Sequence, residues 1–146
     1  MYKVSELQGY LPHHGPMEWI DRVLHFSAGS GTCAIDIDPS SLYCVEGRFK
    51  QSSFLELIAQ SFGFVIASNI KKRTGQVIPI KSAYFVGMTK VVFGESLPLL
   101  GEEVLIDVLE ERRVGLISFV RGRVYSPLTK EIFCEATLKL YSEESL

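Results

Sequence analysis

The most apolar stretch of the sequence lies at residues 52–72, and its pattern predicts one long helix. Ser52 or Ser53 offers an N-cap, and Glu56, three residues after Ser53, has the spacing of a capping box. Apolar residues occupy nearly every angular position around this segment: Phe54, Leu55, Leu57, Ile58, Phe62, Phe64, Val65 and Ile66. A helix that is apolar on every side is expected to be buried on every side, so the rest of the chain should wrap around it.

The remainder of the chain has the pattern of strands separated by short turns. β-Branched and aromatic residues, with partial alternation of apolar and polar positions, predict strands over residues 20–26, 32–37, 77–93, 103–112, 115–125 and 131–141. Gly87 interrupts the third of these, and the stretch before Gly15 is expected to be irregular. Long strands joined by short turns favour an antiparallel sheet. We therefore expect an α+β fold of the hot-dog type, a curved antiparallel sheet around one central helix, with residues 1–146 as a single domain.

Charge and cysteine content narrow the classes of function. The formal net charge is -2 at pH 7, and the basic residues form no stripe, which argues against a nucleic-acid partner. No segment has the pattern of a signal peptide or of a membrane span. Cys33, Cys44 and Cys134 are odd in number and scattered, which fits neither a disulfide framework nor a zinc site. These features predict a cytoplasmic protein.

Glu56 is the helix residue most able to carry chemistry. It lies among apolar side chains, and Gln60 follows one turn later on the same face. A buried carboxylate without a partner tends to stay protonated, and a neutral carboxyl group can act as a general acid. The spacing is equally compatible with a structural glutamate that caps the helix by reaching back to the Ser53 backbone.

His13 is the second candidate for chemistry. It lies in the segment Leu11-Pro12-His13-His14-Gly15-Pro16-Met17, where two prolines restrict the backbone. A histidine on a rigid loop is a good candidate base, because histidine titrates near neutral pH. Pattern alone also allows an ordinary surface histidine. The neighbouring His14 does not indicate a metal site, because adjacent side chains diverge and no third ligand is evident.

These segments together resemble the 3-hydroxyacyl-[acyl-carrier-protein] dehydratases of the hot-dog fold. The segment at residues 11–17, followed by Ile20-Asp21-Arg22-Val23, is similar to the family's "LPHRxPxLLxDRV" signature. Glu56-Leu57-Ile58-Ala59-Gln60 is similar to its "E-x-x-A-Q" helix segment. Residues 97–102 and 133–138 resemble a turn and the final strand of the family, in the same order along the chain. The resemblance is greatest to the branch associated with aryl polyene lipid synthesis.

The resemblance implies a reaction and the residues that perform it. The family's catalytic histidine falls on His13 and its carboxylate on Glu56, and in the family these meet across a homodimer interface that can assemble further. The expected reaction converts a 3-hydroxyacyl thioester, carried on acyl-carrier protein, into a trans-2-enoyl thioester and water. Backbone N–H groups near Gln51 and Ser52 would polarise the thioester carbonyl. No metal or other cofactor is implied, because the thioester itself takes up the developing charge. Phe49 and Gln60 are further candidates for substrate binding.

One position departs from the family pattern. Fatty-acid dehydratases usually have Pro-Gly five or six residues before the carboxylate, where this sequence has Lys50-Gln51. This departure bears on the range of substrates. It also leaves a non-enzymatic alternative, in which the chain is an acyl-binding protein or an inactive subunit that needs an active homologue as its partner. A second alternative is a hot-dog acyl thioesterase in which Glu56 activates water, although thioesterases of this fold generally lack the Leu-Pro-His segment.

Overall fold

The computed structural model describes residues 1–11 and 17–144. Within these residues one α-helix, α1 (Ser53–Thr74), lies against an antiparallel sheet. The strands in chain order are β1 (Tyr2–Lys3), β2 (Arg22–Ser27), β3 (Ser30–Asp36), β4 (Cys44–Val45), β5 (Arg48–Phe49), β6 (Ile80–Phe93), β7 (Glu103–Val114), β8 (Ile117–Tyr125) and β9 (Ile132–Glu144). A short 3-10 helix, Val4–Leu7, follows β1.

The main sheet of the described chain has seven strands in the order β1-β2-β3-β7-β8-β9-β6, and β4 and β5 form a separate hairpin. Side chains alternate across the sheet, so that Ser118, Val120, Gly122 and Val124 of β8 are buried while their neighbours are more exposed. Strands β2, β3, β7, β8 and β9 all contact α1. The predicted α+β hot-dog architecture, a sheet wrapped around one central helix, is confirmed.

The start of α1 differs from the predicted capping box. The N–H of Ser53 donates to the carbonyl oxygen of Lys50 at 2.9 Å, and the N–H of Phe54 donates to that of Gln51 at 3.2 Å. Ser52, at the N-cap, has helical dihedral angles and makes no side-chain capping bond. The capping-box prediction is therefore wrong, because backbone carbonyls of the preceding turn already satisfy these donors. Glu56 is left free for another partner.

One face of α1 is less buried than the sequence predicts. Glu56, Ala59, Gly63 and Ile66 follow one another at helical spacing and are only half-buried. The other faces pack against the sheet, where Phe54, Leu57, Ile58 and Val65 are completely buried. The expectation of burial on every side is wrong for this stripe, because it faces a cleft rather than packing directly against the sheet.

Length and hydropathy alone would allow α1 to cross a membrane, since its most apolar 18-residue window has a mean hydropathy of 1.3. However, 67% of that window is buried inside the fold. The apolar residues of α1 are therefore used as a protein core.

The strand that leads away from the N-terminal segment is held by charge pairs with its neighbours. The guanidinium of Arg22 contacts the carboxylates of Asp36, at 3.2 Å, and Glu103, at 2.5 Å. Asp21 and Arg22 are adjacent in the sequence, but in the described structure Arg22 is paired with Asp36 and Glu103. The Asp21 carboxylate instead accepts a hydrogen bond from the N–H of Asp36 at 2.8 Å.

Candidate active site

The half-buried stripe of α1 faces an apolar cleft. The cleft lies between α1, the N-terminal segment and the adjoining parts of β6 and β9. Its wall opposite the helix includes Phe85 of β6 and Tyr141 of β9. Ala59 and Gly63 present little or no side chain to this space, so the groove follows the helix axis away from Glu56.

Glu56 and Gln60 are in contact within this cleft. The Oε1 atom of Glu56 accepts a hydrogen bond from Nε2 of Gln60 at 3.1 Å. This contact is the one that their four-residue spacing on a helix predicts. The Glu56 carboxylate is half-buried, and its second oxygen has no partner among the described residues. The structure thus presents one carboxylate at one end of an apolar groove.

Gln60 has further hydrogen bonds that join α1 to the N-terminal part of the chain. Its Nε2 donates to the carbonyl oxygen of Met17 at 2.7 Å, and its Oε1 accepts from the N–H of Trp19 at 2.8 Å. The side chain is 2% exposed. Both amide hydrogens and the amide oxygen are therefore bound to protein groups rather than free for a ligand.

A second contact joins the same part of α1 to Leu11, the residue that precedes residues 12–16. A Cβ atom built on Gly63 would lie 2.8 Å from Cδ2 of Leu11, so the absence of a side chain at this position lets Leu11 pack directly on α1. Leu11 is itself 9% exposed. Residues 11 and 17, which flank residues 12–16, are thus both attached to α1 within one turn of each other.

The catalytic prediction for His13 falls on residues 12–16, outside the described residues. Among the other nucleophilic groups, the thiols of Cys33 and Cys134 are buried, and burial raises the pKa of each to about 12. Such thiols stay protonated and are poor nucleophiles.

Gln51 and Ser52 lie at the exposed N-terminal end of α1. In the described part of the chain no acceptor is bound to the backbone N–H of either residue, whereas the next three N–H groups are paired with carbonyls. Gln51 stands at the departure from the family pattern, yet its φ angle is not positive, since Glu46 and Lys130 are the described non-glycine residues with positive φ. The backbone here therefore does not require glycine.

Phe49 lies in an aromatic core chain rather than in the cleft lining. Its ring centroid is 5.4 Å from that of Tyr43 and 4.5 Å from that of Phe54, and Trp19 contacts Tyr43 from the other side. This chain packs the segment after Met17 against the N-terminal end of α1. The structure thus brings Glu56 and Gln60 together in the cleft, and it places Phe49, Gln51 and Ser52 outside the cleft lining.

Leu11 and Gly63 were not singled out from the sequence. The signal that could have identified Gly63 is the pair of small residues, Ala59 and Gly63, spaced by four on an otherwise bulky helix. Such spacing marks a groove along one helix face.

Known proteins share both the fold and the sequence of this chain. A family model for ApeP-like proteins, described as ApeP dehydratase, matches residues 5–146. The 3-hydroxyacyl-[acyl-carrier-protein] dehydratase FabZ of Actinobacillus succinogenes is 30% identical over 143 residues, covering 93% of this chain and 89% of that protein.

Solved structures agree at the level of the fold. A chain of the dehydratase heterocomplex ApeI:P from Xenorhabdus doucetiae has a TM-score of 0.80 at 16% identity, covering 97% of this chain and 91% of that chain. Zebra fish thioesterase superfamily member 2 has a TM-score of 0.61 at 10% identity, covering 90% of this chain and 86% of that chain.

Fold and cleft together define a hot-dog protein, a class that includes both dehydratases and thioesterases. Because the family model matches nearly the whole sequence, the choice within that class is clear. The chain belongs to the ApeP-like dehydratase family.

Proposed function

We propose that this protein removes water from a 3-hydroxyacyl thioester carried on acyl-carrier protein, with His13 as general base and Glu56 as general acid. The observation that carries the proposal is the Glu56 carboxylate at one end of an apolar cleft, held by Gln60 at 3.1 Å, in a chain of the dehydratase family. The setting we propose is cytoplasmic synthesis of fatty-acid-like or polyene lipids.

The first step is removal of a proton from C2 of the substrate by a ring nitrogen of His13. The C2–H bond breaks, and its electron pair moves into the thioester, so that negative charge develops on the carbonyl oxygen. The unpaired N–H groups of Gln51 and Ser52, at the positive end of the α1 dipole, are the donors proposed to bind this oxygen. The thioester acts as the electron sink for this step.

The second step is loss of the 3-hydroxyl group. The Glu56 carboxyl group gives a proton to this hydroxyl, the C3–O bond breaks, and water leaves as the C2–C3 double bond forms. His13 is then protonated and Glu56 ionised, and return of the proton to Glu56 resets the site. Each acid–base partner is expected to contribute roughly 10²- to 10⁴-fold to the rate.

The groove beyond Glu56 is the proposed binding site for the acyl chain. It is lined by apolar residues of the helix stripe and by Phe85, a lining suited to an apolar chain. Among the residues proposed from sequence, Gln60 closes the polar end of this groove. Phe49 is proposed to act indirectly, by supporting the helix N-terminus through Phe54.

The proposed assembly is a homodimer in which each site takes His13 from one chain and Glu56 from the other. Support comes from the cleft, which one chain leaves uncovered along the helix stripe. A second candidate assembly pairs this chain with a different dehydratase chain, because the solved relative from Xenorhabdus doucetiae is a dehydratase heterocomplex.

The test is a dehydration assay that follows enoyl absorbance with a 3-hydroxyacyl thioester on acyl-carrier protein. We expect the purified protein to turn over, and we expect His13→Ala and Glu56→Gln each to lower kcat by roughly 10²-fold or more. Leu128→Ala, at an exposed turn, is the control variant and should keep full activity. Activity that survives both substitutions would overturn the mechanism.

The same reaction separates the other candidates. Release of a free thiol instead of enoyl product would identify a thioesterase. Turnover that appears only after a homologous dehydratase chain is added would identify a partner subunit of a mixed complex and would overturn the homodimer proposal.

A further inference from the structure

Gln60 connects the two parts of the chain that the proposed reaction needs. Its amide is bound on one side to the Glu56 carboxylate at 3.1 Å, and on the other to the backbone of Met17 and Trp19, at 2.7 and 2.8 Å. The Gln60 side chain itself is 2% exposed, whereas the three bonds that it makes are partly buried. Loss of the amide would remove the hydrogen bonds that it makes to the Met17 carbonyl oxygen and the Trp19 N–H.

The hydrogen-bonding capacity of this amide is fully used. An amide has two N–H donors, and both are engaged by oxygens of Met17 and Glu56, while the carbonyl oxygen accepts from Trp19. The bond to Glu56 leaves only one of the two carboxylate oxygens open to the cleft. The side chain therefore fixes the carboxylate and has no donor left for a ligand.

We propose that Gln60 is a positioning residue that serves both active sites of a dimer. Within one chain it orients the Glu56 that acts in one site, and it fixes the backbone at Met17 and Trp19, which continues the segment carrying the His13 that acts in the other site. This inference rests on the proposed function with shared sites. It reassigns Gln60 from contact with substrate to the support of both reacting side chains.

A mixed dimer can test the two actions of Gln60 separately. One subunit carries His13→Ala and the other carries Glu56→Gln, with different affinity tags so that the mixed dimer is purified alone. Such a dimer retains one complete site, formed by Glu56 of the first subunit and His13 of the second. Turnover by this parent dimer establishes the shared site before Gln60 is changed, and an inactive parent would overturn both the shared site and the double role of Gln60.

Gln60→Met, which keeps the size but removes the amide, is then placed in either subunit of that dimer. In the His13→Ala subunit it removes the bond to the active Glu56, and in the Glu56→Gln subunit it removes the support of the backbone after the active His13. We expect each placement to lower kcat roughly 10- to 100-fold, since small displacements of reacting groups have effects of this size. KM should change by less than about threefold, because no substrate contact is lost.

Asn69→Leu is the matched control. Its amide also joins α1 to a neighbouring segment, donating to the carbonyls of Ser27, at 2.7 Å, and Val65, at 3.0 Å, but it lies outside the cleft lining. It should lower the melting temperature while kcat stays within about twofold of the parent dimer. If Gln60→Met lowers kcat in only one placement, or if it raises KM while kcat is kept, the proposed double role is wrong.

Discussion

At the residue scale, the Asp21 carboxylate is expected to lower the stability of the folded protein even though it accepts a hydrogen bond there. It accepts the N–H of Asp36 at 2.8 Å, yet partial burial raises the pKa of Asp21, and repulsion from the Asp36 carboxylate raises it further. The folded protein therefore binds this proton more tightly than the unfolded chain does. The ionised form makes folding less favourable above the unfolded pKa of about 4, and this cost disappears as the pH falls below it.

Asp21→Asn keeps an oxygen to accept the Asp36 N–H and removes the charge. We expect the free energy of unfolding at pH 7 to rise by on the order of a few tenths of a kcal/mol, since the site is half exposed and screened. The gain should vanish when urea unfolding is repeated near pH 3.

Asp38→Asn is the contrasting substitution. Hydrogen bonds from the side chain and the backbone N–H of Ser40 lower the pKa of Asp38, so its ionised form stabilises the folded state above the unfolded pKa. Its removal should give no gain at pH 7. An Asp21→Asn protein that is no more stable at pH 7 than the Asp38→Asn protein would show that burial of Asp21 has no energetic cost.

The sequence predicts local pairs of residues in the site and not the distant ones. Glu56 and Gln60 were placed on one face by their spacing alone, and their contact is confirmed. The contacts of Gln60 with Met17 and Trp19 join positions 43 and 41 residues apart, and no local pattern encodes them. The capping box failed for a different reason, because backbone carbonyls and a serine side chain compete for the same donors.

At the scale of secondary-structure elements, the close contact between α1 and β8 depends on Gly122. A Cβ atom on Gly122 would clash with the side chain of Ile58, which is completely buried. We expect Gly122→Ala to lower the free energy of unfolding by about 1–3 kcal/mol, as is typical of an overpacked core. Urea unfolding with an unchanged m-value would measure the loss.

Two further variants isolate the cause of that loss. Gly87→Ala, in β6 of the same sheet, would meet nothing closer than a Lys139 side-chain carbon at 3.9 Å and should be nearly neutral. Ile58→Ala combined with Gly122→Ala should be more stable than the sum of the single losses predicts, by about 1 kcal/mol, because the deleted atoms free the space. If the losses of the two single variants simply add in the double variant, the cost of Gly122→Ala does not come from its contact with Ile58.

Elements were predictable where they were long. The helix was expected at residues 52–72 and is Ser53–Thr74, and the four long strands after it were all expected. Gly87 was expected to interrupt the first of these strands, and the pairing of β6 with β9 shifts register there. β1, β4 and β5 were not expected, because two residues are too few to show a periodic pattern.

At the scale of the whole molecule, the two edges of the main sheet differ in length. One edge is β1, with two residues, and the other is β6, with 14 residues that pair with β9 on one side only. Val86 and Met88 of β6 are 54% and 47% exposed, and Phe85 beside them lines the cleft. A long apolar edge of this kind is suited to pairing with another chain.

In a symmetric dimer the same edge meets its own copy, so a new charge on β6 would lie near an identical charge. We therefore expect Val86→Lys combined with Met88→Lys to raise the dissociation constant of the dimer at least about tenfold, with light scattering after gel filtration as the measurement. Dehydratase activity should fall in parallel at low protein concentration and recover at high concentration, because the proposed sites need both chains. Leu128→Lys, at a position 87% exposed in the turn between β8 and β9, should alter neither property. A wild-type protein that is monomeric and fully active at the same concentration would contradict an active site shared between chains.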